Sequence, residues 1–388
     1  MAFAAVHGAE RRRLPGMDTA RVLASVLVVV GHALAFVNEL PPERGGGVTL
    51  GNFTPGFGAF LLLYVAGFMT FYVGWNRFGQ PGASGKYLTA RLTRVVPLYW
   101  AFTTLWLAIA LLLPGATSGA TPDAAHIVTS YLFIPFARGD GDIRPILSLG
   151  WTLNYIVLFY LVAAALLPLG RKRALTILAA GTAILLAVHP FLRWSTILHF
   201  WSSSFILMYV AGAGAAYLYK TRIEPRGLSI GAWPSAILIV LLLIAVMPLV
   251  RLWGETDETA LTLPFLGMFA IATALIAICL LTVEKGGAVA KVRDEVALSS
   301  YSLYLSHPFV LGIGIELWKA LGLYNYLPGS ALFAALLLGS LIAAWILYYI
   351  VERPLVRFLG KRFGSQEARA PRAPDPVGGL AEVKDAAR

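Results

Sequence analysis

One pair of residues in the first long apolar segment has the types and spacing expected of a reaction site. Arg21 and His32 are eleven residues apart, and on an α-helix with 3.6 residues per turn such a pair lies within about 20° of the same face. Ionisable side chains are costly inside a bilayer, so those found there usually face a cavity and serve function. A neutral imidazole can take the proton of a hydroxyl or thiol as a general base. We therefore predict His32 as a catalytic residue, with Arg21 on the same side of the helix.

Each of these side chains also has a structural interpretation. His32 is compatible with an interhelical hydrogen bond that holds a helix bundle together. Arg21 either binds an anion inside the protein or extends to the lipid headgroups as an anchor. Asp18 precedes Arg21 by three residues. It either caps the N-terminus of the helix or pairs with the arginine, and the two roles are compatible.

A second arginine pair begins the third apolar segment. Arg91 and Arg94 are three residues apart and therefore share one face of a helix. Paired guanidinium groups suit phosphate or carboxylate ligands, and ordinary anchoring at the membrane surface is the alternative. Pro97 follows, at a place where we expect the first turn of the helix, which tolerates proline.

Four residues in two later segments are weaker candidates. Tyr304 and His307 belong to a run of serine and tyrosine side chains in the ninth apolar segment. This run either lines a substrate path or joins neighbouring helices. Trp151 and Asn154 begin the fourth segment, where tryptophan commonly marks the membrane interface. We treat all four as candidates for contact with an acceptor or for lining its path.

The elements that must position these residues are membrane-spanning helices. The chain is 58% hydrophobic and 13% charged, with a mean hydropathy of +0.73, whereas a soluble domain carries about 25% charged residues. Segments of this length and apolarity cross about 30 Å of hydrocarbon as helices. We predict an all-α, polytopic integral membrane protein with about ten transmembrane helices. They lie near residues 19–38, 56–74, 95–113, 151–168, 173–189, 199–219, 230–250, 261–283, 298–318 and 331–351.

The basic residues predict the orientation of these helices. Alternate connections, which include Arg11–Arg13 and the segment after the last helix, together carry 20 Lys and Arg residues. The other set carries 6, beginning with Arg44. Because cytoplasmic loops carry the excess of Lys and Arg, we predict that both termini lie in the cytoplasm. An even number of spans agrees with this prediction.

The remaining features bound the domain organisation. We predict a cytoplasmic N-terminal segment at 1–18, a single membrane domain at 19–354, and a cytoplasmic tail at 355–388 that is disordered from about 364. The middle of the longest outer connection, at 127–136, either lies along the interface or re-enters the bundle. A single cysteine, Cys279, excludes an intrachain disulfide. The sequence contains no metal-binding or nucleotide-loop motif, so we expect no metal.

Several of these positions together resemble the membrane-bound acyltransferase 3 family, whose members modify bacterial surface and secreted glycans. The resemblance runs from about Asp18 to Pro354. Its first landmark is the family's arginine–ten residues–histidine signature, formed here by Arg21 and His32. The other landmarks, in order, are Arg91-Leu92-Thr93-Arg94 with Pro97 and Tyr99, then Ser300-Tyr301-Ser302-Leu303-Tyr304-Leu305-Ser306-His307-Pro308, then Val351-Glu352-Arg353-Pro354.

A narrower resemblance is to the exopolysaccharide O-acetyltransferase-like branch of that family. It depends on Arg144-Pro145 and on Gly150-Trp151-Thr152-Leu153-Asn154-Tyr155 followed by Phe159-Tyr160. Three positions depart from the family pattern. Ile156 stands in place of a glutamate, Ala66 in place of a small polar residue and Phe60 in place of a common aspartate. We expect these losses to affect the acceptor or the activity rather than the fold, unless an acid from elsewhere replaces the glutamate. The candidates are Asp123, Asp140, Asp142 and Glu316.

The resemblance implies an O-acyltransferase of the bacterial inner (cytoplasmic) membrane. The donor would be cytoplasmic acyl-CoA, most often acetyl-CoA, as a co-substrate with no bound cofactor. The acceptor would be a sugar hydroxyl of an exopolysaccharide or of its lipid-linked precursor. By resemblance, His32 acts as the base with Asp18 and Arg21 beside it, and Arg91 and Arg94 bind the donor phosphates. We expect acyl-CoA, the glycan and membrane lipids as partners, and no nucleic acid.

Two other functions fit the same features. Ten spans with buried charge also suit a transporter or flippase for a lipid-linked sugar, and a catalytically silent family member in glycan assembly is the third possibility. His32 is expected nearer the outer leaflet, whereas CoA stays in the cytoplasm. We therefore predict a channel between the first, third and ninth helices, which a bulky residue at Ala24 or Gly31 would close.

Overall fold

The computed structural model of the chain describes residues 14–38, 56–113, 122–254, 256, 259–283 and 286–363. We number its α-helices in chain order. They are α1 (Pro15–Asn38), α2 (Gly56–Gly74), α3 (Ala83–Leu112), α4 (Ala124–Tyr131), α5 (Trp151–Leu166), α6 (Arg171–Val188), α7 (Thr196–Trp201), α8 (Ile206–Leu218), α9 (Ala232–Trp253), α10 (Leu263–Leu281), α11 (Ala288–Ala320), α12 (Gly329–Leu347) and α13 (Arg353–Arg362). Two short strands, β1 (Ile230–Gly231) and β2 (Thr282–Val283), pair in parallel.

Within these ranges, ten helical spans are long and apolar enough to cross a membrane. Each corresponds to one of the ten predicted segments, so the prediction of an all-α, polytopic membrane protein is confirmed. The residues predicted as a disordered tail, and the basic Arg11–Arg13, lie outside the described part of the chain. The prediction that both termini are cytoplasmic stays a prediction.

Three helices begin earlier than the sequence pattern predicts. α3 begins at Ala83 and α11 at Ala288, because their first turns are charged and fall outside an apolar window. Pro97 therefore lies inside α3 and not in a first turn. α1 begins at Pro15, which places Asp18 in its first turn. The prediction that Asp18 caps α1 from outside the helix is wrong, although a carboxylate in the first turn still favours the helix dipole.

The alternation of the spans gives the bundle two chemically different ends. The end that carries the starts of α1, α3, α6, α9 and α11 also carries most of the Lys and Arg residues of the described connections. We call it the basic end. The pairing of Ile230 with Thr282 lies there, because β1 precedes α9 and β2 follows α10. The opposite end carries α4 and the long connection that contains it.

α2 and α8 pack closely through glycines on both helices. A Cβ atom at Gly67 would lie 1.9 Å from the carbonyl oxygen of Tyr209, and one at Gly212 would lie 2.0 Å from that of Tyr64. Only glycine permits backbones to approach this closely, as small residues do throughout membrane helix bundles. The α2–α8 pair therefore forms a firm support for the elements around it.

The long connection at the opposite end folds against α3. Asp123 caps α4 by accepting a hydrogen bond from the His126 amide at 2.7 Å. The indole of Trp100 donates to the Tyr131 carbonyl oxygen at 2.9 Å, and the Tyr99 hydroxyl donates to the Ser130 carbonyl oxygen at 3.2 Å. Residues of the segment 127–136 therefore pack beside the outer half of α3.

Candidate active site

Three of the predicted arginines converge on one cavity near the basic end. The cavity has a volume of about 140 Å³ and lies between α1, α2, α3, α5 and α11. One wall, from α2 and α5, is mostly apolar, and the other carries guanidinium and hydroxyl groups. Its lining consists of Arg21, Leu62, Val65, Ala66, Met69, Arg91, Arg94, Val95, Thr152, Leu153, Ile156, Tyr160, Ser300, Tyr301 and Tyr304.

The three guanidinium groups of this cavity are held by different neighbours. Arg21 donates a hydrogen bond to Asp18 at 3.5 Å, and both side chains are largely buried. Arg91 is 7% exposed. Its guanidinium lies 5.4 Å from the centre of the Tyr87 ring and 5.9 Å from that of Tyr160. Arg94 and Arg91 both act electrostatically on Arg21, and the burial of like charges is unfavourable without compensating negative charge. The cavity therefore concentrates positive charge on one of its walls.

Glu352 is the acidic residue that the sequence-based selection of site residues missed. It is 3% exposed and lies in a π-helical turn, Tyr348–Glu352, that joins α12 to α13. Its Oε2 atom accepts hydrogen bonds from the Ser302 hydroxyl at 2.6 Å and from the Ser302 amide at 3.2 Å. Arg94 and Arg21 both act on it electrostatically. The sequence did mark Glu352 as part of the landmark Val351-Glu352-Arg353-Pro354. Its spacing along the chain, however, does not predict that it lies near Arg21 of α1 or Arg94 of α3.

The four acids proposed to replace the missing glutamate do not line the cavity. Asp123 caps α4, and Glu316 pairs with Lys319 at 2.7 Å on an exposed surface. Asp140 pairs with Arg138 at 2.6 Å. Its pKa is lowered by the Asp142 backbone amide and then by Arg138, so it is ionised at neutral pH. Asp142 pairs with Arg138 and Arg144 at 3.2 and 2.8 Å.

The polar run of α11 ties this helix to its neighbours and also faces the cavity. The Tyr301 hydroxyl donates to the Val95 carbonyl oxygen of α3 at 2.6 Å. The Tyr304 hydroxyl donates to the Leu149 carbonyl oxygen at 2.6 Å and lies 2.6 Å from the Thr152 hydroxyl. The run therefore joins α11 to its neighbours, as predicted. Tyr301 and Tyr304 also line the cavity, and a substrate path along this run stays a prediction.

His32 and His307 form a pair farther along α1 and α11. Their ring centres are 5.2 Å apart, and His307 is fully buried. Its Nδ1 atom lies 3.1 Å from the Leu303 carbonyl oxygen. Since a carbonyl only accepts, Nδ1 carries the hydrogen and Nε2 carries the lone pair. Nε2 is buried and has no hydrogen-bond partner within the described ranges.

The histidine pair lies beyond the cavity, toward the opposite end. Neither ring lines the cavity, but the centres of the Tyr304 and His307 rings are 6.2 Å apart, so Tyr304 links the two regions. Arg144 of the outer connection acts electrostatically on His32. The side chain of Arg144 is 59% exposed. The pair is thus placed between a cavity at the basic end and a charged loop at the other.

Trp151 and Asn154 are outside the cavity lining. Trp151 packs on Phe205 with ring centres 5.1 Å apart. Asn154 is 1% exposed, and neither its Oδ1 nor its Nδ2 atom has a hydrogen-bond partner in the part of the chain that the structure describes. Of the three positions that depart from the family pattern, Ile156 and Ala66 belong to the apolar wall. Phe60 lies in an aromatic cluster with Phe205, Trp253 and Phe265.

Comparison with known proteins finds a matching family profile and a similar bacterial protein. The profile of the acyltransferase domain family matches residues 14–349. The chain is 29% identical over 314 residues to the exopolysaccharide production protein ExoZ of Rhizobium meliloti (strain 1021), an alignment that covers 77% of this chain and 89% of ExoZ. No solved structure matches the chain.

Proposed function

Because the chain belongs to the acyltransferase 3 family and is therefore a membrane acyltransferase, we propose that it moves an acyl group, acetyl first, from acyl-CoA to a sugar hydroxyl. The similarity to ExoZ supports an exopolysaccharide, or its lipid-linked precursor, as the acceptor. We place the protein in the bacterial inner membrane with the basic end in the cytoplasm, where CoA is found.

The observation that carries this proposal is the convergence of three arginines on one cavity. Arg21, Arg91 and Arg94 come from two helices and line a space of about 140 Å³. Pockets that enclose a whole drug-sized ligand measure about 300–1,000 Å³, so only part of the donor enters. In the proposal, the arginines bind the donor phosphates at the mouth. The pantetheine arm follows the apolar wall, and the thioester reaches toward Tyr304 and the histidine pair.

The proposed chemistry takes place at His32. Its imidazole accepts the proton of the sugar hydroxyl while the oxygen attacks the thioester carbonyl. Collapse of the tetrahedral intermediate forms the ester and breaks the carbon–sulfur bond, and the proton passes from the imidazolium to the departing CoA thiolate. The ring of His307 lies beside that of His32, with centres 5.2 Å apart, and its Nε2 lone pair has no partner among the described residues. In the proposed reacting complex, the His32 ring turns so that its N–H donates to this Nε2 atom, which directs the other nitrogen of His32 toward the acceptor.

A direct transfer fits the surroundings of the cysteine. Cys279 is fully buried in α10, where a Cβ at Gly16 of α1 would lie 1.9 Å from its carbonyl oxygen. It does not line the cavity. The proposal therefore needs no acyl-cysteine intermediate.

The test is transfer of label from radioactive acetyl-CoA to surface glycan in membranes that contain wild-type protein or His32→Ala. We expect label with wild type and its loss with His32→Ala, since removal of a general base costs about 10²–10⁴-fold in rate. His199→Ala is the matched control, because His199 stacks on His189 at 4.2 Å in a separate contact.

Transfer that survives in His32→Ala would contradict the proposed mechanism. Absence of label from the folded wild-type protein, with a panel of acyl-CoA donors, would contradict the proposed reaction. It would favour the transport or silent-partner alternatives.

A further inference from the structure

A second and larger cavity lies at the basic end. It has a volume of about 580 Å³ and is formed where the turn after α2, the start of α6 and the end of α8 meet. Three consecutive basic residues, Arg171, Lys172 and Arg173, line it together with the aromatic rings of Trp75 and Tyr217. None of the described residues that line this cavity carries a carboxylate. It shares no residue with the arginine cavity of the proposed active site.

The inner wall of this cavity is fixed by one arginine. The Nε atom of Arg171 donates to the Trp75 carbonyl oxygen at 2.7 Å, and its guanidinium lies 4.6 Å from the centre of the Trp75 ring. The Trp75 and Tyr217 rings are 5.8 Å apart. Lys172 and Arg173 are exposed at the rim. Nearby, Glu224 is paired with Lys220 at 2.9 Å, a cation outside the lining of this cavity.

The surface above the cations is apolar. α6 exposes Ile177 (50%) and Ile184 (63%) along its outer face, and this helix is among the least buried of the ten spans. An anion that binds at the start of α6 therefore has an apolar surface directly beside it. That combination suits an amphipathic ligand more than a soluble nucleotide or phosphate ion.

We propose that this cavity binds the headgroup of an anionic phospholipid. Its volume is in the range of ligand pockets. Basic pockets between transmembrane helices on the cytoplasmic side bind such headgroups, and tryptophan and tyrosine are favoured at the headgroup level. The phosphate contacts Lys172 and Arg173, the Trp75 and Tyr217 rings contact the glycerol region, and the acyl chains cover Ile177 and Ile184. This assignment does not depend on the proposed acyl transfer.

The experiment uses the full-length protein in phosphatidylcholine nanodiscs that contain a minor fraction of phosphatidylglycerol. Native mass spectrometry of the released protein counts retained phosphatidylglycerol against phosphatidylcholine. Wild type is expected to retain phosphatidylglycerol selectively, and Lys172→Ala/Arg173→Ala to lose about tenfold or more of that selectivity. The matched control, Lys361→Ala/Arg362→Ala, removes the same two charges from exposed positions of α13 and is expected to retain it.

Three results would overturn the proposal. Undiminished retention by Lys172→Ala/Arg173→Ala would show that the cavity is not the site. An equal loss in the α13 control would show attraction by surface charge in general. Displacement of the lipid by added CoA, but not by dephospho-CoA, would assign the cavity to the 3′-phosphate of a nucleotide. Size-exclusion chromatography confirms that each variant is folded, and both positions are exposed, so folding is expected to be unchanged.

Discussion

At the scale of single residues, the buried carboxylate of Glu352 sets the charge balance of the arginine cavity. It faces Arg94 and Arg21 and is held by Ser302. Asp18 is the other acid that acts on Arg21. Three guanidinium groups against two carboxylates leave the region positive, which favours the binding of an anionic donor.

Replacement of Glu352 by glutamine tests whether its carboxylate balances the charge of the arginine cavity. We expect Glu352→Gln to lower the thermal unfolding midpoint, because it removes the buried negative charge that acts on Arg94 and Arg21 and weakens the two hydrogen bonds from Ser302. A hydrogen bond to a charged group contributes about 1.5–3 kcal/mol. Acetyl-CoA is expected to stabilise the variant more than wild type, since its phosphates supply the missing negative charge. Thermal unfolding in detergent, with and without donor, measures both effects. Glu224→Gln, at a surface pair with Lys220, is expected to change stability by less than about 1 kcal/mol. Equal midpoints for both variants would contradict the prediction.

His307 provides a second test at this scale. We expect His307→Gln to lower kcat about 100-fold by misorienting His32, to change the pH profile of kcat, and to leave the KM for acetyl-CoA unchanged. Steady-state kinetics of the purified protein measure all three. His199→Gln controls for loss of a half-buried histidine outside the site. A normal kcat, or a higher donor KM with a normal kcat, would show that His307 has no positioning role.

At the scale of the elements, apolar length predicted the spans but not where the helices begin. The first turns of α3 contain Lys86, Arg91 and Arg94, and an apolar window excludes them. They remain helical because Arg91 is buried against Tyr87 and Tyr160. The contact between Arg91 and Tyr160 joins α3 to α5. The spacing of apolar residues within one segment cannot predict a contact with another helix. The spacing of Arg21 and His32 did predict their shared helix. Their neighbours, His307 on α11 and Glu352 in the turn after α12, depend on tertiary packing.

The predicted channel also changes in detail. Ala24 is fully buried, and its carbonyl oxygen would lie 2.8 Å from a Cβ at Gly58, so it packs between α1 and α2 and does not line the cavity. A bulky residue at Ala24 would therefore disturb helix packing before it closed a path. Ala66 on α2 is the better position for a block, because it lines the cavity directly.

We expect Ala66→Phe to abolish acyl transfer by filling a space of about 140 Å³ while the protein still inserts and folds. The label-transfer assay measures the loss, and size-exclusion chromatography confirms the fold. Ala179→Phe, at an exposed position of α6, adds the same ring outside the cavity and is expected to retain activity. Full activity of a folded Ala66→Phe protein would remove this cavity from the donor path.

At the scale of the whole molecule, the sequence predicted the number of spans and the alternation of basic connections. It could not predict that residues from α1, α2, α3, α5 and α11 meet at one cavity, because helices that are neighbours in space need not be neighbours in sequence. The orientation of the bundle decides whether this cavity faces the CoA pool.

Cysteine labelling tests that orientation. With Cys279 replaced by serine, we expect Ala125→Cys in α4 to react with an impermeant maleimide added to intact cells, since it is exposed at the opposite end. Lys361→Cys, exposed in α13 at the basic end, is expected to react only after permeabilisation. The reverse pattern would place the arginine cavity outside the cell and contradict a cytoplasmic donor.

The reciprocal glycine contacts between α2 and α8 have a consequence for how acyl selectivity evolves. Gly67 contacts the backbone of Tyr209, and Gly212 contacts that of Tyr64. If either helix slid along the other, a neighbouring residue with a side chain would replace a glycine at this contact and clash with the opposite backbone. The backbone of α2 is therefore held in place by α8, and so are the α2 residues that line the cavity. A change in the acyl group that the protein accepts then requires substitution of the side chains on the α2 wall. Any movement that opens the cavity to donor or acceptor must come from the helices on its other side.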